Sequence, residues 1–340
     1  MVAGRRRNRR RFGAGGGTRR DDGQGGVGAG RDCRGVRVSG GRLVSQVNGA
    51  FVAPSAAGIA PGDRGFTLGD GVFETLRAKN GQPLRWAFHE QRLIASLAML
   101  GIDPGMSMEE LRGEVRACLL ACGSDDSSVR ISVSRGVAAE RGLAPSSGMQ
   151  PTVAIEVRPF AGYPPGLYKR GMSLVTSAIP RNERSPLARV KSLSYLENVL
   201  ARMEAQEAGA DEALVLNTAG GVAGASAANV FVVFEQARRQ GTLVTPPVEE
   251  GALPGTVRGL VLGELAARCG LRAEEGRLLP GMLEGPGREV FLTNALMGVM
   301  PVTCIDGRAA GGGTPGSYAA RVAEALEARD REETACPGQL

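Results

Sequence analysis

The sequence predicts two α/β (α+β) domains with a cleft between them, and three observations carry that expectation. The chain has 340 residues, enough for more than one core. Hairpin and helix signals alternate along most of its length. A Pro/Gly-rich connection, AGYPPG (161–166), divides it near the middle. The expected partition is a disordered Arg/Gly-rich extension at 1–45, an N-terminal α/β domain at 46–162, a C-terminal α/β domain at 167–310, and a C-terminal helix and tail at 311–340.

The extension, with RRRNRRRFGAGGGTRRDDGQGGVGAG, lacks the apolar content to build a core. It holds twelve of the 41 Lys/Arg and three of the 35 Asp/Glu, so the net charge of +6 belongs to it and the remainder is mildly acidic. Arginine clusters also suit phosphate neutralisation, but nucleic acid is an unlikely partner for so short and isolated a run. No apolar segment follows the arginines, which argues against a secretory signal, and no apolar run reaches the length of a membrane span. Six scattered cysteines without paired spacing fit reduced thiols in a cytoplasmic protein.

The first domain opens with VSQVNGAFV (44–52), two strands around an Asn48-Gly49 turn. VFETLRAK and QPLRW flank a second turn, Asn80-Gly81. HEQRLIASLAMLG (89–101) has a helical apolar face that ends at glycine. A second helix is expected at 108–122, then strands in VRISVSRG (129–136) and PTVAIEVRPF. The second domain offers the strand MSLVTSAIP, an irregular RNERSPLARVKS, the helix SLSYLENVLARMEAQEAGA and the strand DEALVLN. GVAGASAANVFVVF, the strand LVTPP, the helix TVRGLVLGELAARCG and the strand EVFLTNA follow.

Few residues are suited to chemistry. The single histidine, His89, all but excludes a Ser–His–Asp triad and rules out histidine-built metal sites. No metal is expected. There are only three lysines, Lys79, Lys169 and Lys191. Lys191 lies between Val190 and a helix start, where two readings stand: a solvated surface lysine, or a desolvated amine with a lowered pKa and nucleophilic character. In GALPGTVRG (251–259) a Pro-Gly turn opens a helix, leaving the amides of Thr256 and Val257 as an anion site. In FLTNALMGVMPV (291–302) the loop amides after Thr293 offer a second one. The small residues of GVAGASAANVF (221–231) serve either close approach by a ligand or tight packing.

Taken in order, DRGFTLGDGVFETLR with HEQRL, RVKSLSYLENVLA, ASAANVFVV, GALPGTVR and FLTNALMGVMPV resemble the fold-type IV pyridoxal-phosphate enzymes. That group holds branched-chain and D-amino acid aminotransferases and 4-amino-4-deoxychorismate lyase. The resemblance runs from about residue 46 to 308, and FETLR, ADEALVLN and NALMGVMPV look most like the lyase versions. It implies a cofactor, pyridoxal 5'-phosphate, in the interdomain cleft, and a homodimer in which each site is completed by a loop from the partner.

Residue by residue, the resemblance makes Lys191 the covalent anchor of the cofactor and, once freed, the proton shuttle. Arg92 of HEQRL would hold the phosphate, helped by amides at Thr256, Val257, Asn294 and Ala295. Thr75 of FETLR matches a threonine that handles protons, and Arg135 of VSRG matches a contact to a substrate carboxylate. The implied reaction converts 4-amino-4-deoxychorismate to 4-aminobenzoate and pyruvate for folate synthesis. A transaminase for D- or branched-chain amino acids, and a degenerate cofactor-binding protein, are the alternatives. One departure stands out. The family places a glutamate, partner of the cofactor's pyridine nitrogen, five residues before the Asn of its N-V-F segment, and here that position is Gly224. The lyase reading then expects Gly224→Glu to be equally or more active.

Overall fold

The computed structural model describes residues 37–38 and 41–335, apart from 54, 57, 141 and 236–240. The expectation for 1–45 therefore lies almost wholly outside the described residues. Those described fall in one compact unit, Arg34–Leu340, a mixed α/β structure with two large sheets and separate cores, as the fold class expected, besides a two-stranded ribbon of Arg37–Val38 and Gly41–Arg42.

The first sheet has six antiparallel strands. They are β1 (Val44–Val47), β2 (Ala50–Val52), β3 (Gly71–Lys79), β4 (Gln82–Pro83), β5 (Asp126–Ser134) and β6 (Thr152–Pro159), in the order β2-β1-β6-β5-β3-β4. The Asn48-Gly49 and Asn80-Gly81 turns take the positive φ angles that two-residue hairpins need. The second hairpin is shorter than expected, because Arg85 adopts a left-handed conformation and starts a helix at Trp86. A short helix, α1 (Arg64–Leu68), is capped by the Asp63 side chain. Helices α2 (Trp86–Leu100) and α3 (Met108–Cys122) cover one face of the sheet. A Ser107/Glu110 capping box opens α3. On β3, Val72, Leu76 and Ala78 point into this core with Leu93, Leu97, Leu111 and Val115. Each fully buried aliphatic side chain contributes roughly 1.5–3 kcal/mol. Phe73 and Thr75 alternate to the opposite face.

After a helical turn, α4 (Pro165–Arg170), comes a nine-stranded mixed sheet. Its strands are β7 (Met172–Thr176), β8 (Glu212–Leu216), β9 (Val222–Ala225), β10 (Asn229–Phe234), β11 (Thr242–Thr245), β12 (Arg272–Glu275), β13 (Arg288–Asn294), β14 (Gly298–Ile305) and β15 (Arg308–Ala309). The order is β9-β8-β7-β14-β13-β10-β11-β12, with β15 on β14. Helix α5 (Leu196–Glu207) packs on β8. Helix α6 starts at Thr256 and passes through a π turn, Val261–Leu265, to Arg268. With the C-terminal helix α7 (Ser317–Ala335) it buries Phe231 and Phe291, whose rings stack at 5.2 Å. The sequence does not predict strand β14, because its apolar run follows β13 after only three residues and reads as one loop. Among the described residues no helix is long and apolar enough to cross a membrane.

Candidate functional site

The uncovered face of β3 and the start of α6 meet at a cavity of about 440 Å³, within the range of small-molecule sites. Lys191 lines it, together with Thr75, Arg92, Thr256, Val257, Asn294 and Ala295. Seven of the eight residues expected to form the site are thus brought to one place from five separate stretches of chain.

The backbone explains the position of Lys191. The Phe73 amide donates to the Lys191 carbonyl at 2.8 Å, and the Leu193 amide donates to the Gly71 carbonyl at 2.8 Å. The segment between a 3-10 turn, Pro186–Arg189, and α5 is therefore stitched along β3. Val190 anchors it in the first core. The Lys191 Nζ then lies 4.3 Å from the Phe73 ring centroid and 5.1 Å from that of Tyr195. Burial, followed by the charge of Arg92 and with Arg130 and Arg181 adding to it, lowers Lys191 to about 7, against the opposing pull of Glu74. A substantial fraction of such an amine is neutral at physiological pH, as a nucleophile must be.

Arg92 is held from behind. Its Nε and Nη2 donate to the two Glu74 oxygens at 2.7 and 2.6 Å, and Nη1 donates to the Pro254 carbonyl at 3.1 Å. Glu74 also accepts from His89 Nδ1 at 2.7 Å. Burial works to raise the Glu74 carboxyl, but Arg92 and then His89 outweigh it and bring it to about 2. Burial lowers His89 to about 4 in spite of Glu74. His89 is thus a neutral buried donor and not a catalytic base. The arginine bridges α2 to the Pro254-Gly255 turn and keeps part of its fork for a ligand.

The small-residue stretch forms the cavity's other wall. Asn229 Nδ2 donates to the Leu253 carbonyl at 2.8 Å, and a Cβ on Gly255 would fall 1.9 Å from Asn229 Oδ1. Glycine at 255 therefore lets the turn seat directly on this asparagine. No side chain caps the start of α6, so the Thr256 and Val257 amides keep their anion-binding character. The Asn294 carboxamide accepts the Leu296 and Met297 amides at 3.0 and 2.7 Å and donates to the Ala227 carbonyl at 3.2 Å. This fixes the loop that carries Ala295. The Thr293 hydroxyl, buried on the same wall, has no hydrogen-bond partner among the described residues, a cost that a bound ligand would remove. An anion cradle, a neutral lysine and an orphaned hydroxyl together fit pyridoxal phosphate.

Two expectations need correction. Arg135 does not line the cavity. Its Nε and Nη2 donate to Asp70 at 2.9 and 3.1 Å, and its Nη1 and Nη2 donate to the carbonyls of Gly101 and Leu100 at 2.9 and 2.7 Å. It closes the end of α2, with Asp70 shared by Arg64 at 2.7 Å. Nor is Gly224 a simple vacancy for glutamate. Its φ is +152°, a region open mainly to glycine, and an added Cβ would sit 3.1 Å from the Ala228 carbonyl oxygen. Gly224→Glu would strain β9 as well as add an acid, so its activity is no clean measure of the missing carboxylate.

The cavity also holds residues that sequence reasoning passes over. Arg130, opposite Thr75 in the β3–β5 register, lies with its Cζ 3.9 Å from the Phe73 centroid. Arg181 and Tyr195 line the same space. With Arg92, the wall carries three arginines beside Lys191 and, among the described residues, no Asp or Glu.

A family model described as amino-transferase class IV matches residues 71–305. A putative branched-chain-amino-acid aminotransferase of Methanocaldococcus jannaschii is 35% identical over 77% of this chain and 88% of that protein. A D-alanine aminotransferase of Bacillus licheniformis is 33% identical over 85% and 97%. An aminodeoxychorismate lyase of Bacillus subtilis is 30% identical over 76% and 86%. Among solved structures, the T.th. branched-chain amino acid aminotransferase with pyridoxamine 5'-phosphate superposes with a TM-score of 0.77 at 29% identity, covering 85% of this chain and 94% of that one. The 4-amino-4-deoxychorismate lyase of Pseudomonas aeruginosa gives 0.71 at 29%, covering 84% and 98%.

Proposed function

The chain belongs to the class IV aminotransferase family, whose cofactor is pyridoxal phosphate, and within that family we propose that it is an aminodeoxychorismate lyase. One observation carries this reading: among the described residues, no carboxylate side chain lines the cavity to keep the cofactor's pyridine nitrogen protonated. A transaminase depends on that proton to draw electrons into the ring. The lyase reaction depends on it less, because its own product becomes aromatic.

When bound, the cofactor supplies a carbonyl for the substrate amine and a conjugated ring that withdraws electrons. Arg92 and the Thr256, Val257 and Ala295 amides hold its phosphate. Lys191, lowered to about 7, would anchor the cofactor and, as a free amine, would take the substrate ring proton beside the amino nitrogen. Thr75, on the same wall, helps pass the proton to the departing enolpyruvate, which leaves as pyruvate. Arg130, which makes no ion pair among the described residues and is pulled down from its usual range by burial, holds a substrate carboxylate in place of Arg135. A second copy of the chain is proposed to cover the exposed Phe66, Leu187, Leu196 and Val199, which lie together beside the site.

The test is 4-aminobenzoate and pyruvate release from 4-amino-4-deoxychorismate by the holoenzyme, with rescue of a 4-aminobenzoate auxotroph. Activity should vanish in Lys191→Ala, and Arg130→Met should raise KM by roughly 10- to 100-fold, the worth of one charged hydrogen bond. The second reading, a transaminase, is favoured by the 35% and 33% identities to aminotransferases. Conversion of D-alanine or L-leucine without lyase activity would establish it. Loaded protein inactive in both assays would be a cofactor-binding protein.

A further inference from the structure

We propose that Arg181 holds the ring nitrogen of bound pyridoxal phosphate in its unprotonated form, donating a hydrogen bond to the nitrogen lone pair where no acid is present. The placement rests on side-chain packing. Arg181 is tied to the end of β8 by its amide, which donates to the Leu216 carbonyl at 2.8 Å, and by its carbonyl, which accepts the Thr218 amide at 3.2 Å. A Cβ on Gly251 would lie 3.3 and 3.4 Å from the Arg181 Cγ and Cδ and 3.5 Å from the Ala223 Cβ. The arginine stem thus passes against the Gly251 backbone, on the side that Ala223, the neighbour of Gly224, also faces, and both Arg181 and Ala223 line the cavity. Its guanidinium makes no hydrogen bond or ion pair among the described residues, and only Tyr195 and the outlying Glu197 offset its burial.

The chemistry follows from charge. A guanidinium has donors and no acceptor, and it stays protonated in proteins. It can meet a pyridine lone pair but not a pyridinium N–H, so Arg181 and a protonated ring nitrogen exclude each other. Arg130 adds charge of the same sign, and Glu74 is engaged by Arg92 and His89. Another buried carboxylate, Glu212, accepts the hydrogen bond of the cavity-lining Ser226 hydroxyl and does not itself line the cavity. The fold thereby selects reactions that need little electron withdrawal by the ring. The inference requires the cofactor but not the lyase reading, because its measurement involves no substrate.

The experiment is the 15N chemical shift of the holoenzyme loaded with pyridoxal phosphate labelled at the ring nitrogen, from mildly acidic to mildly basic pH. The wild type should stay at the unprotonated, hydrogen-bonded position throughout. Arg181→Met should move the signal toward that of a free lone pair, and Arg181→Glu should move it toward the protonated position. A wild-type signal at the protonated position overturns the proposal whatever the variants do, and identifies Glu212 acting through Ser226 as the next group to test. A wild-type signal at the unprotonated position that neither substitution shifts removes Arg181 from the role.

Discussion

The Lys191 carbonyl accepts the Phe73 amide at 2.8 Å while the Lys191 Nζ lies 4.3 Å from the Phe73 ring, so one strand fixes both ends of the lysine. Burial and the neighbouring arginines bring the amine to about 7, whereas a solvated lysine titrates at about 10.4. Only the neutral amine attacks the cofactor carbonyl. The rate at which apoprotein takes up pyridoxal phosphate, followed by visible absorbance, should therefore rise as pH passes through about 7 and level off above it. A rate still climbing steeply at pH 9 would contradict this environment. Lys191→Ala should show no lysine-bound absorbance at any pH.

The buried trio Glu74, His89 and Arg92 sets a stability profile in acid. His89 falls from 6.5 in a solvated state to about 4 in the fold. Between those values the unfolded chain carries the extra proton, so its contribution is complete above 6.5 and is lost as pH falls toward 4. Glu74, lowered from 4.5 to about 2, adds a second loss below 4.5, with the same sign. The melting temperature should decline from about pH 6.5 downward. In His89→Gln the decline should begin only near 4.5. Glu74→Gln leaves Arg92 buried without its counter-charge and should cost about 3–5 kcal/mol, read by urea denaturation.

Much of the framework is legible in the sequence because its signals are local. Asn48-Gly49 and Asn80-Gly81 fix hairpins by their own conformations, Ser107 and Glu110 cap their own helix, and the ordered motifs bring Lys191, Arg92 and Thr256 to one cavity. What escapes is set by neighbours remote in the chain. Arg130 lies in the middle of β5 and Arg135 just beyond its end, and no local pattern tells which faces a cavity. The answer depends on Asp70 and the carbonyls of Leu100 and Gly101, which claim Arg135. Arg181 reads as part of an irregular loop, and only its packing against Gly251 gives it a direction. Gly224 is legible as a missing acid but not as a strained backbone position.

Gly255 and Asn229 make a second relationship open to test. With a Cβ only 1.9 Å from Asn229 Oδ1, Gly255→Ala must push the turn off the asparagine. Overpacking of this kind costs about 1–3 kcal/mol, and it displaces the Thr256 and Val257 amides. Cofactor affinity should fall at least about tenfold, the equivalent of 1.4 kcal/mol, measured by fluorescence quenching. Adding Asn229→Ala removes the colliding atom. The double variant should then melt higher than Gly255→Ala alone, and strictly additive losses would show that the two residues do not interact.

The C-terminal helix reaches the cavity through one buried ion pair. Arg85 Nη1 donates to both Asp330 oxygens at 2.9 and 2.8 Å, its Nη2 donates to the Ala295 carbonyl at 2.7 Å, and its amide donates to Glu333 at 2.9 Å. Arg85 thereby joins α7 to the cavity loop and to the start of α2, which carries Arg92. Burial pulls the Arg85 guanidinium down, and Asp330 and Glu333 oppose it. Removing the Asp330 charge strands a buried cation, so Asp330→Asn should cost about 3–5 kcal/mol in urea denaturation. Replacing the pair together, Arg85→Met with Asp330→Leu, leaves no buried charge and should recover much of that stability. Cofactor affinity should not recover with it, because the Ala295 carbonyl still lacks its donor and the loop keeps only its Asn294 ties. Recovery of both would show that the pair supports the fold alone.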